Sequence, residues 1–390
     1  FLLEIGSEEL PATFVPSGMA SLERNMRHFL EAHNLSYEKI ETYGTPRRLA
    51  IMIKNLSAGT PSHVLEKKGP PLATAFDEKG QTTQAGHSFL KVAGYGDIKL
   101  SQIKRKEIEG LEIREIKNVP YLFAKITIPE LSTRRLLAEN LPQLILNIEF
   151  PKKMRWGAFD IEYARPLRWL VSLYGSEEIP FALGPLLAGR TSCGHRQLSP
   201  KAFVIGEAKE YLELLRKAHV MANVTERRRS ILDQLEECEK KQGMFAVAKE
   251  KVLPQVLHLV EWPFLTVGTF NTQYLRAPKE VLISEMIEHQ KYFPLMDSNG
   301  EITPTFAIIC NNRPTDLIRA GNQKALSPRL ADGLFLYDED LKTALDTFCE
   351  KLKTVTYQKD LGSLWTKTER LIGLAALMHS LLPIADLDKL

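Results

Sequence analysis

Hydrophobic and polar positions along the chain follow two different periods, which predict a mixture of strands and helices. The first residues, FLLEIG, form a short apolar run typical of a buried strand, and residues 14–33 repeat apolar side chains at helical spacing. The segments YEKIETYG and RRLAIMIKNL then predict two strands, joined by a turn at Gly44-Thr45-Pro46. The N-terminal region therefore has the order β-α-β-β, which is one half of a ferredoxin-like unit.

The middle of the chain mixes the same two patterns. KKGPPLATAFDEKGQ is typical of a loop, because a Gly-Pro-Pro break interrupts it, and TTQAGHSFLKVAGYG predicts a short helix. Residues 103–128 predict three strands, in the segments IKRKEIEG, LEIREIKN and YLFAKITIP. STRRLLAENLPQLILNI predicts a helix with Ser132 as its N-cap, and LRWLVSLYG predicts a further strand.

The last part of the chain is mostly helical in pattern. Residues 207–242 and 247–260 predict helices, and residues 340–380 predict further ones. Between them, ISEMIEHQKYFPLMDSNGEITPTFAIICNN predicts a helix that ends before Pro294, a turn at Asn299-Gly300 and a buried strand.

These patterns together predict an α+β fold. We expect a multidomain chain of mixed antiparallel β-sheets with packed helices, followed by the start of an all-α domain. The predicted domains are a β-α-β-β unit (1–58), a mixed α+β domain (59–200), a helical segment (201–260), a helix-plus-hairpin part packing with the second domain (261–338) and the start of a helical domain (339–390).

Composition narrows the class of protein. Apolar residues make up 44% of the 390 residues and charged residues 25%, so a core can form and disorder is not indicated. The net charge of +3 is mild, so any nucleic-acid surface must be local. Four scattered cysteines without a CxxC pair fit a reducing cytosol, and FLLEIGSEEL has no basic segment of a signal peptide. We therefore expect a cytoplasmic protein without a membrane span.

The sequence contains no local signature of catalysis. GxxxxGK[ST], GxGxxG, HExxH and GxSxG motifs do not occur, and the histidines are scattered. His289 and Lys291 are two positions apart, so on a helix their side chains point away from each other. We therefore predict no catalytic residue and no metal ligand in this chain.

Basic residues mixed with aromatic ones are the more informative feature. The segment PKKMRWGAFDIEYARPLRW places arginines and lysines around two tryptophans, a composition suited to phosphates and bases. The plainer alternative is a solvated loop that tryptophans anchor to the core. The run ERRRS is typical of one solvated helix face, and His195 in AGRTSCGHRQLSP of a structural hydrogen-bonding residue. The candidate nucleic-acid contacts are Arg47, Arg48, Lys152, Lys153, Arg155, Trp156, Arg165, Arg168, Arg196, Lys291 and Tyr292.

Ten short motifs in order resemble one family. They are LLEIGSEELPA, YGTPRRLA, KKGPP, PKKMRWG, ARPLRW, CGHR, LVEWP, EHQKYF with its DSNG hairpin, NN, and GNQKALSPRLADGLFLYDEDLKT. Together they resemble the N-terminal part of the β subunit of the bacterial heterotetrameric glycyl-tRNA synthetase, from residue 1 to about residue 375. The absence of an initiating methionine is consistent with a fragment, either of a separate subunit or of a fused α–β chain.

This resemblance implies a role in protein biosynthesis. In this family a class II core on the α subunit binds ATP and Mg²⁺ and activates glycine, while the β subunit contributes to recognition of tRNA(Gly) in an α2β2 assembly. The expected partners are thus tRNA(Gly) and the α subunit, with no DNA, and no cofactor is expected on this chain itself. The C-terminal helices would begin a domain related in fold to the HD phosphohydrolases, although no adjacent His-Asp pair occurs.

Two other functions stay open at this point. The N-terminal β-α-β-β unit could serve as an assembly module that holds the synthetase together. The third hypothesis is an editing-like or HD-like hydrolase, which no local motif supports.

Overall fold

A computed structural model describes residues 1–128 and 130–381 of the chain. They divide into two compact units, Phe1–Arg228 with Leu257–Trp262, and Arg229–Val256 with Pro263 onward. The final residues of the predicted helical domain, 382–390, lie outside the described part, as does Pro129 at the end of YLFAKITIP. The α+β class is confirmed, since the structure mixes antiparallel sheets with packed helices.

The first unit contains strands and helices in alternation. Its strands are β1 (Leu2–Ser7), β2 (Lys39–Thr45), β3 (Arg48–Lys54), β4 (His63–Pro71), β5 (Leu111–Ile116), β6 (Val119–Ile128), β7 (Met154–Arg155), β8 (Glu162–Tyr163), β9 (Leu167–Tyr174), β10 (Glu177–Glu178), β11 (Ala182–Leu183), β12 (Leu186–Gly189), β13 (Thr191–Cys193) and β14 (Ala202–Val204). Its helices are α1 (Phe14–Ala32), α2 (Leu72–Ala75), α3 (Gln84–Val92), α4 (Leu100–Lys104), α5 (Thr133–Leu146) and α6 (Tyr211–Lys217), with a 3₁₀ turn at Ala208–Glu210.

The large sheet of this unit has the order β11-β12-β9-β1-β3-β2, with β10 also pairing with β9. Its central strand β1 is buried over all six residues and pairs antiparallel with β3 on one side and β9 on the other. Helices α1 and α5 pack on the same sheet, and their side chains form the main core with those of β1, β3 and β9. Strands β9-β1-β3-β2 with α1 and α5 therefore complete the ferredoxin-like arrangement of which the sequence indicated one half.

A second sheet is inserted between β3 and α5. It has the order β4-β6-β5, and helices α2, α3 and α4 cover one of its faces. Because β9 lies beside β1, the predicted boundary at residue 58 does not separate two sheets. The ferredoxin-like unit includes residues on both sides of the insertion.

Two of the predictions in this insertion are wrong. The segment KKGPP was predicted as a loop but belongs to β4, where prolines are tolerated because β4 lies at the edge of its sheet. The segment IKRKEIEG was predicted as a strand, but it continues from helix α4 into a turn. Lys106 and Gly110 adopt positive φ angles there, which breaks an extended strand.

The second unit follows helix α7 (Val224–Gln242), within which the chain passes from one unit to the other. Its strands are β15 (Phe245–Ala246), β16 (Phe264–Thr269), β17 (Phe293–Met296), β18 (Ile302–Cys310), β19 (Thr356–Gln358) and β20 (Gly362–Ser363). Its helices are α8 (Lys249–Val256), α9 (Lys279–Ser284), α10 (Asp316–Asp340), α11 (Leu345–Lys351) and α12 (Leu364–Leu381). The sheet β15-β17-β18-β16 packs its buried Phe306 and Ile308 against α10, and the hairpin β19–β20 interrupts the region predicted as purely helical.

The helix-to-hairpin segment of this unit largely follows its prediction. Helix α9 continues into a π-helical turn, Glu285–Gln290, and Lys291 ends it in a left-handed conformation with a φ of 59°. The hairpin loop places Gly300 at a φ of 79°, while Asp297 accepts hydrogen bonds from the backbone of Asn299 and Glu301. The predicted left-handed turn is therefore confirmed at Gly300.

Candidate nucleic-acid interface

The candidate residues fall in both units. Lys291 and Tyr292 belong to the second unit, and the other nine belong to the first. Within the first unit, the structure gathers four of the nine, together with Trp169, at the end of β1. They are Arg47, Arg48, Arg168 and Arg196.

Arg48 is the first residue of β3, and its guanidinium is 0% exposed. It donates to the carbonyl oxygen of Cys193 at 2.9 Å and forms ion pairs with Glu261 at 3.2 Å and Glu4 at 3.4 Å. Burial opposes the charge on Arg48, but the carboxylates of Glu261 and Glu4 outweigh it and hold the pKa of Arg48 above its usual value. The prediction that Arg48 contacts RNA is therefore wrong, because its guanidinium is buried and pairs with two carboxylates inside the protein.

Arg47 precedes Arg48 but points to the edge of this buried network. Its guanidinium lies over the ring of Trp169, 5.5 Å from the centroid, and donates to the carbonyl oxygen of Gly194 at 3.3 Å. Burial lowers the pKa of Arg47, with the carboxylate of Glu261 acting in the opposite direction. Arg47 is thus a half-buried cation that supports an aromatic ring.

Trp169 was not among the predicted contacts, although it lies in the basic segment. Its indole Nε1 donates to the carboxylate of Glu4, and its ring lies directly against Gly6 of β1. A Cβ atom on Gly6 would come within 2.0 Å of the ring, so only glycine leaves room for it. The motifs EIG and RPLRW are both visible in the sequence. That Gly6 and Trp169 meet becomes apparent only from the pairing of β1 with β9.

Arg168 and Arg196 converge on one carboxylate at the surface. Arg168 approaches Glu8 at 3.3 Å and Arg196 approaches the other oxygen of Glu8 at 2.9 Å, while Arg196 also pairs with Glu9 at 3.3 Å. The two arginine side chains are 63% and 51% exposed. We call Arg47, Arg168 and Arg196 the arginine rim, since their positive charges lie around the C-terminal end of β1, where Glu8 follows the strand.

A second basic group lies on the short ribbon of β7 and β8. Lys153 donates to the carbonyl of Leu146 at the end of α5 at 2.7 Å, and Arg155 pairs with Glu162 at 3.0 Å. Lys152 is exposed, and Trp156 packs partly against the main core. This basic ribbon (Lys152, Lys153, Arg155 and Trp156) thus combines the exposed charge of Lys152 with residues whose contacts hold the loop in place.

Arg165 lies between the basic ribbon and Arg168 in the sequence and is half-buried. Its guanidinium donates to the carbonyl of its neighbour Ala164 at 3.0 Å. This short-range bond fixes the guanidinium beside its own backbone, so Arg165 belongs to neither group.

Tyr292 is the second candidate that the structure removes. It is 4% exposed, stacks on Phe306 with ring centroids 4.9 Å apart, and donates its hydroxyl to Asn322 at 2.7 Å. Burial raises the pKa of Tyr292 to about 12. Lys291 beside it is half-buried, and its ammonium donates to the carbonyl of Glu288 at 2.7 Å.

The contacts of His195 and Arg227 show whether each side chain is buried or solvated. His195 is buried and accepts hydrogen bonds at Nδ1 from the backbone of Gln197 and Leu198, so its structural role is confirmed. Arg227 was predicted on a solvated helix face, which is wrong, because it is fully buried. It donates to the carbonyls of Leu257, Met221 and Gly44.

Within residues 1–128 and 130–381, no group of three or more His, Cys, Asp or Glu side chains is arranged to hold a metal ion. In the same part of the chain, no helix has the length and apolar character needed to cross a membrane.

Comparison with known proteins identifies the family. The fold defines an α+β protein whose ferredoxin-like sheet carries an arginine rim at one end. The family model described as glycyl-tRNA synthetase beta subunit matches residues 1–389, and the chain belongs to this family.

Individual relatives cover the chain almost completely. The chain is 45% identical over 391 aligned residues to a glycine–tRNA ligase of Chlamydia muridarum (strain MoPn / Nigg), covering 100% of this chain and 39% of the relative. It is 37% identical to the glycine–tRNA ligase beta subunit of Syntrophotalea carbinolica, covering 96% of this chain and 53% of the relative. The corresponding beta subunit of Listeria welshimeri is 35% identical, with 100% and 55% covered. The chain thus spans about half or less of the length of these curated relatives.

Proposed function

We propose that this chain contacts tRNA(Gly) through its first unit and positions it for glycylation. The family and the names of the relatives support this role, since both refer to glycine–tRNA ligation. The observation that carries the proposal is the convergence of Arg168 and Arg196 on one partly exposed carboxylate, Glu8.

The arginine rim has the geometry of an anion site that Glu8 fills in the free protein. A phosphate group presents oxygens that two guanidiniums can share, as they share the oxygens of Glu8 here. Arg47 adds a third positive charge close enough to Arg196 to depress its own pKa, although burial is the larger cause. Exposed ion pairs are worth little in free energy, so an RNA phosphate can replace Glu8 at small cost.

Catalysis is assigned elsewhere in the enzyme. We propose that ATP and Mg²⁺ bind a class II core on an α subunit, or on an α region of the same polypeptide as in a fused chain. The length of the relatives outside the matched part leaves room for such further regions.

Binding of a tRNA(Gly) transcript to the chain tests the proposal. The double variant R168A/R196A removes both exposed charges, so the Kd should rise roughly tenfold or more at moderate salt. The matched control is R24A/R135A, which removes two exposed, ion-paired arginines of the same unit and should leave the affinity unchanged. Equal losses in both double variants would remove the rim from the proposal.

The substitution E8Q provides a test in the opposite direction. It removes the carboxylate that competes with phosphate for Arg168 and Arg196, so tRNA should bind more tightly. A gain in affinity cannot arise from misfolding. Weaker or unchanged binding by E8Q would contradict a phosphate site at the rim.

The basic ribbon is the second surface to test within the same function. The variant K152A/R155A removes two exposed charges and spares Lys153, whose bond to α5 is structural. A loss of affinity would extend the tRNA contact to the ribbon. An unchanged Kd would confine the contact to other parts of the chain.

A further inference from the structure

The inserted sheet β4-β6-β5 has one covered face and one face that carries aromatic rings. Leu122 and Ala124 of the central strand β6 are fully buried against helices α2 to α4. Side chains alternate between the faces of a strand, so Tyr121 and Phe123 lie on the opposite face. Both rings are only half-buried.

A cationic side chain lies over each of these rings. The ammonium of Lys68, on β4, lies 3.8 Å from the ring centroid of Tyr121, and the guanidinium of Arg114, on β5, lies 5.0 Å from that of Phe123. The register of the sheet supports this placement, since Arg114 is the partner of Tyr121 and Lys68 is the partner of Phe123. The face therefore combines two neighbouring rings with a positive charge on either side.

The carboxylates on this face are already neutralised. Arg114 pairs with Glu66 at 2.8 Å and with Glu112 at 2.6 Å, and Lys125 pairs with Glu112 at 2.8 Å. Hydrogen bonds from Lys125 and Arg114 lower the pKa of Glu112 to about 2, so it stays ionised and paired. Lys68 is then the cation of this face that lies over a ring without a carboxylate partner among the described residues.

We propose that this face binds two unpaired nucleobases of an RNA strand, one stacked on Tyr121 and one on the stack that Phe123 forms with the Arg114 guanidinium. Residues i and i+2 of a strand are about 7 Å apart, which leaves room for one base on each ring. Aromatic side chains on the open face of a sheet are a general means of holding single-stranded RNA. Nothing in the family name or in the arginine rim assigns a role to this face.

The cations explain how the strand would be held. Lys68 is long and exposed, so it can leave the Tyr121 ring and pair with a phosphate while a base takes its place. Arg114 is held over Phe123 by two carboxylates, so the second base would stack on its flat guanidinium, which the ring supports from the other side. A protein partner would have less use for this arrangement, because the face presents two rings amid charges rather than a continuous apolar patch.

The inference rests on the proposed function only in that tRNA supplies the RNA, since the rings themselves would bind any unpaired strand. The test therefore uses two probes on the whole chain, a fluorescein-labelled single-stranded RNA octamer and a tRNA(Gly) transcript. The double variant Y121L/F123L keeps apolar strand residues and removes both rings. The octamer should bind at least about fivefold more weakly for each ring lost.

Two controls separate stacking from damage to the fold. Tyr357 of the second unit is an exposed tyrosine with a similar cation–π contact, since the ammonium of Lys367 lies 4.2 Å from its ring centroid. Y357L should therefore bind both probes like the parent chain. Y121F keeps the ring and loses only the hydroxyl, so it should keep the affinity. The slope of log Kd against log salt should stay unchanged in Y121L/F123L, because no charge is removed.

The outcomes distinguish the inference from the proposed function. Weaker octamer binding by Y121L/F123L with an intact thermal unfolding profile supports the inference, even if the rim variant R168A/R196A binds tRNA like the parent chain. Octamer affinity that is unchanged in Y121L/F123L, or reduced equally in Y357L, overturns it, even if the rim variant loses tRNA binding.

Discussion

Arg47 and Arg48 are neighbours in the sequence and have different roles in the structure. Both guanidiniums lie 5.5 Å from the ring centroid of Trp169, but Arg48 is fully buried between Glu4 and Glu261, whereas Arg47 stays partly exposed at the edge of this network. The motif TPRRLA could not distinguish them, because the difference depends on carboxylates that are distant in the chain. The basic character of the region was predictable, and the burial of one arginine was not.

The substitution R48M tests the buried network. It leaves Glu4 and Glu261 without their shared cation, and breaking a buried pair of this kind costs about 3–5 kcal/mol of the free energy of unfolding. Chemical denaturation followed by tryptophan fluorescence measures the change. The control R135M removes an exposed arginine on α5 and should change the free energy by less than about 0.5 kcal/mol. An equally small effect of R48M would contradict the network.

The contact between Gly6 and Trp169 makes a second prediction. A methyl group in G6A would collide with the indole ring, so the ring or β1 must move, at a cost of about 1–3 kcal/mol. The emission spectrum of Trp169 should change as well. G189A is the matched control in the same sheet, since no atom lies within 4 Å of the added Cβ there. Similar stabilities of G6A and G189A would show that the contact is not tight.

His258 gives a prediction for pH. Burial, and then the charge of Arg227, lower the pKa of His258 from 6.5 to about 4. Between pH 4 and pH 6.5, His258 is neutral in the folded state but binds a proton in the unfolded state. The contribution of His258 to the free energy of unfolding is therefore complete above pH 6.5 and is lost as the pH falls towards 4. The loss is about 3 kcal/mol. H258Q should remove this part of the pH dependence of unfolding, while exposed H28Q should leave it intact.

Helix α7 shows the same limit of sequence reasoning on the scale of an element. Its run of three arginines was predicted as a solvated face, and Arg228 and Arg229 are exposed as expected. Arg227 instead turns inward and donates to three backbone carbonyls of distant segments. Helical spacing assigns residues to faces, but only tertiary contacts show which face is covered.

The neighbouring arginines of this helix form a matched pair for measurement. R227M removes all three donors and leaves buried carbonyls unpaired, so the free energy of unfolding should fall by about 2–4 kcal/mol. R228M changes an exposed side chain one position along and should cost less than about 0.5 kcal/mol. Thermal unfolding of both variants checks the difference, and equal melting temperatures would refute the anchoring role.

The strands were predicted best where they are buried and regular. β1, β3 and β9 are apolar and lie inside the large sheet, and their segments were all identified. β4 was missed because it is an edge strand that contains prolines.

On the scale of the whole molecule, the order of elements hides the architecture. The β-α-β-β unit predicted at the N-terminus is completed by α5 and β9, which follow a long insertion. The insertion has its own core and its own sheet, so local patterns could not show that the flanking segments belong together. The family was recognisable from ordered motifs, and the match over residues 1–389 confirms it.

The candidate site was partly within reach of the sequence. Basic residues near β1 and β9 were identified, and three of them form the arginine rim. Trp169, Glu8 and the rings of Tyr121 and Phe123 were missed, because their meaning depends on contacts between strands. Residue types indicated the chemistry, and only the fold showed where it is concentrated.

The dependence of tRNA affinity on salt tests the central claim most directly. The logarithm of Kd for a tRNA(Gly) transcript would be measured against the logarithm of salt concentration for the parent chain and for R168A/R196A. If the rim holds RNA phosphates, the two arginines release about two counterions, so the slope should be smaller by about 2 in the variant. Parallel lines for the two proteins would show that Arg168 and Arg196 do not contact the tRNA.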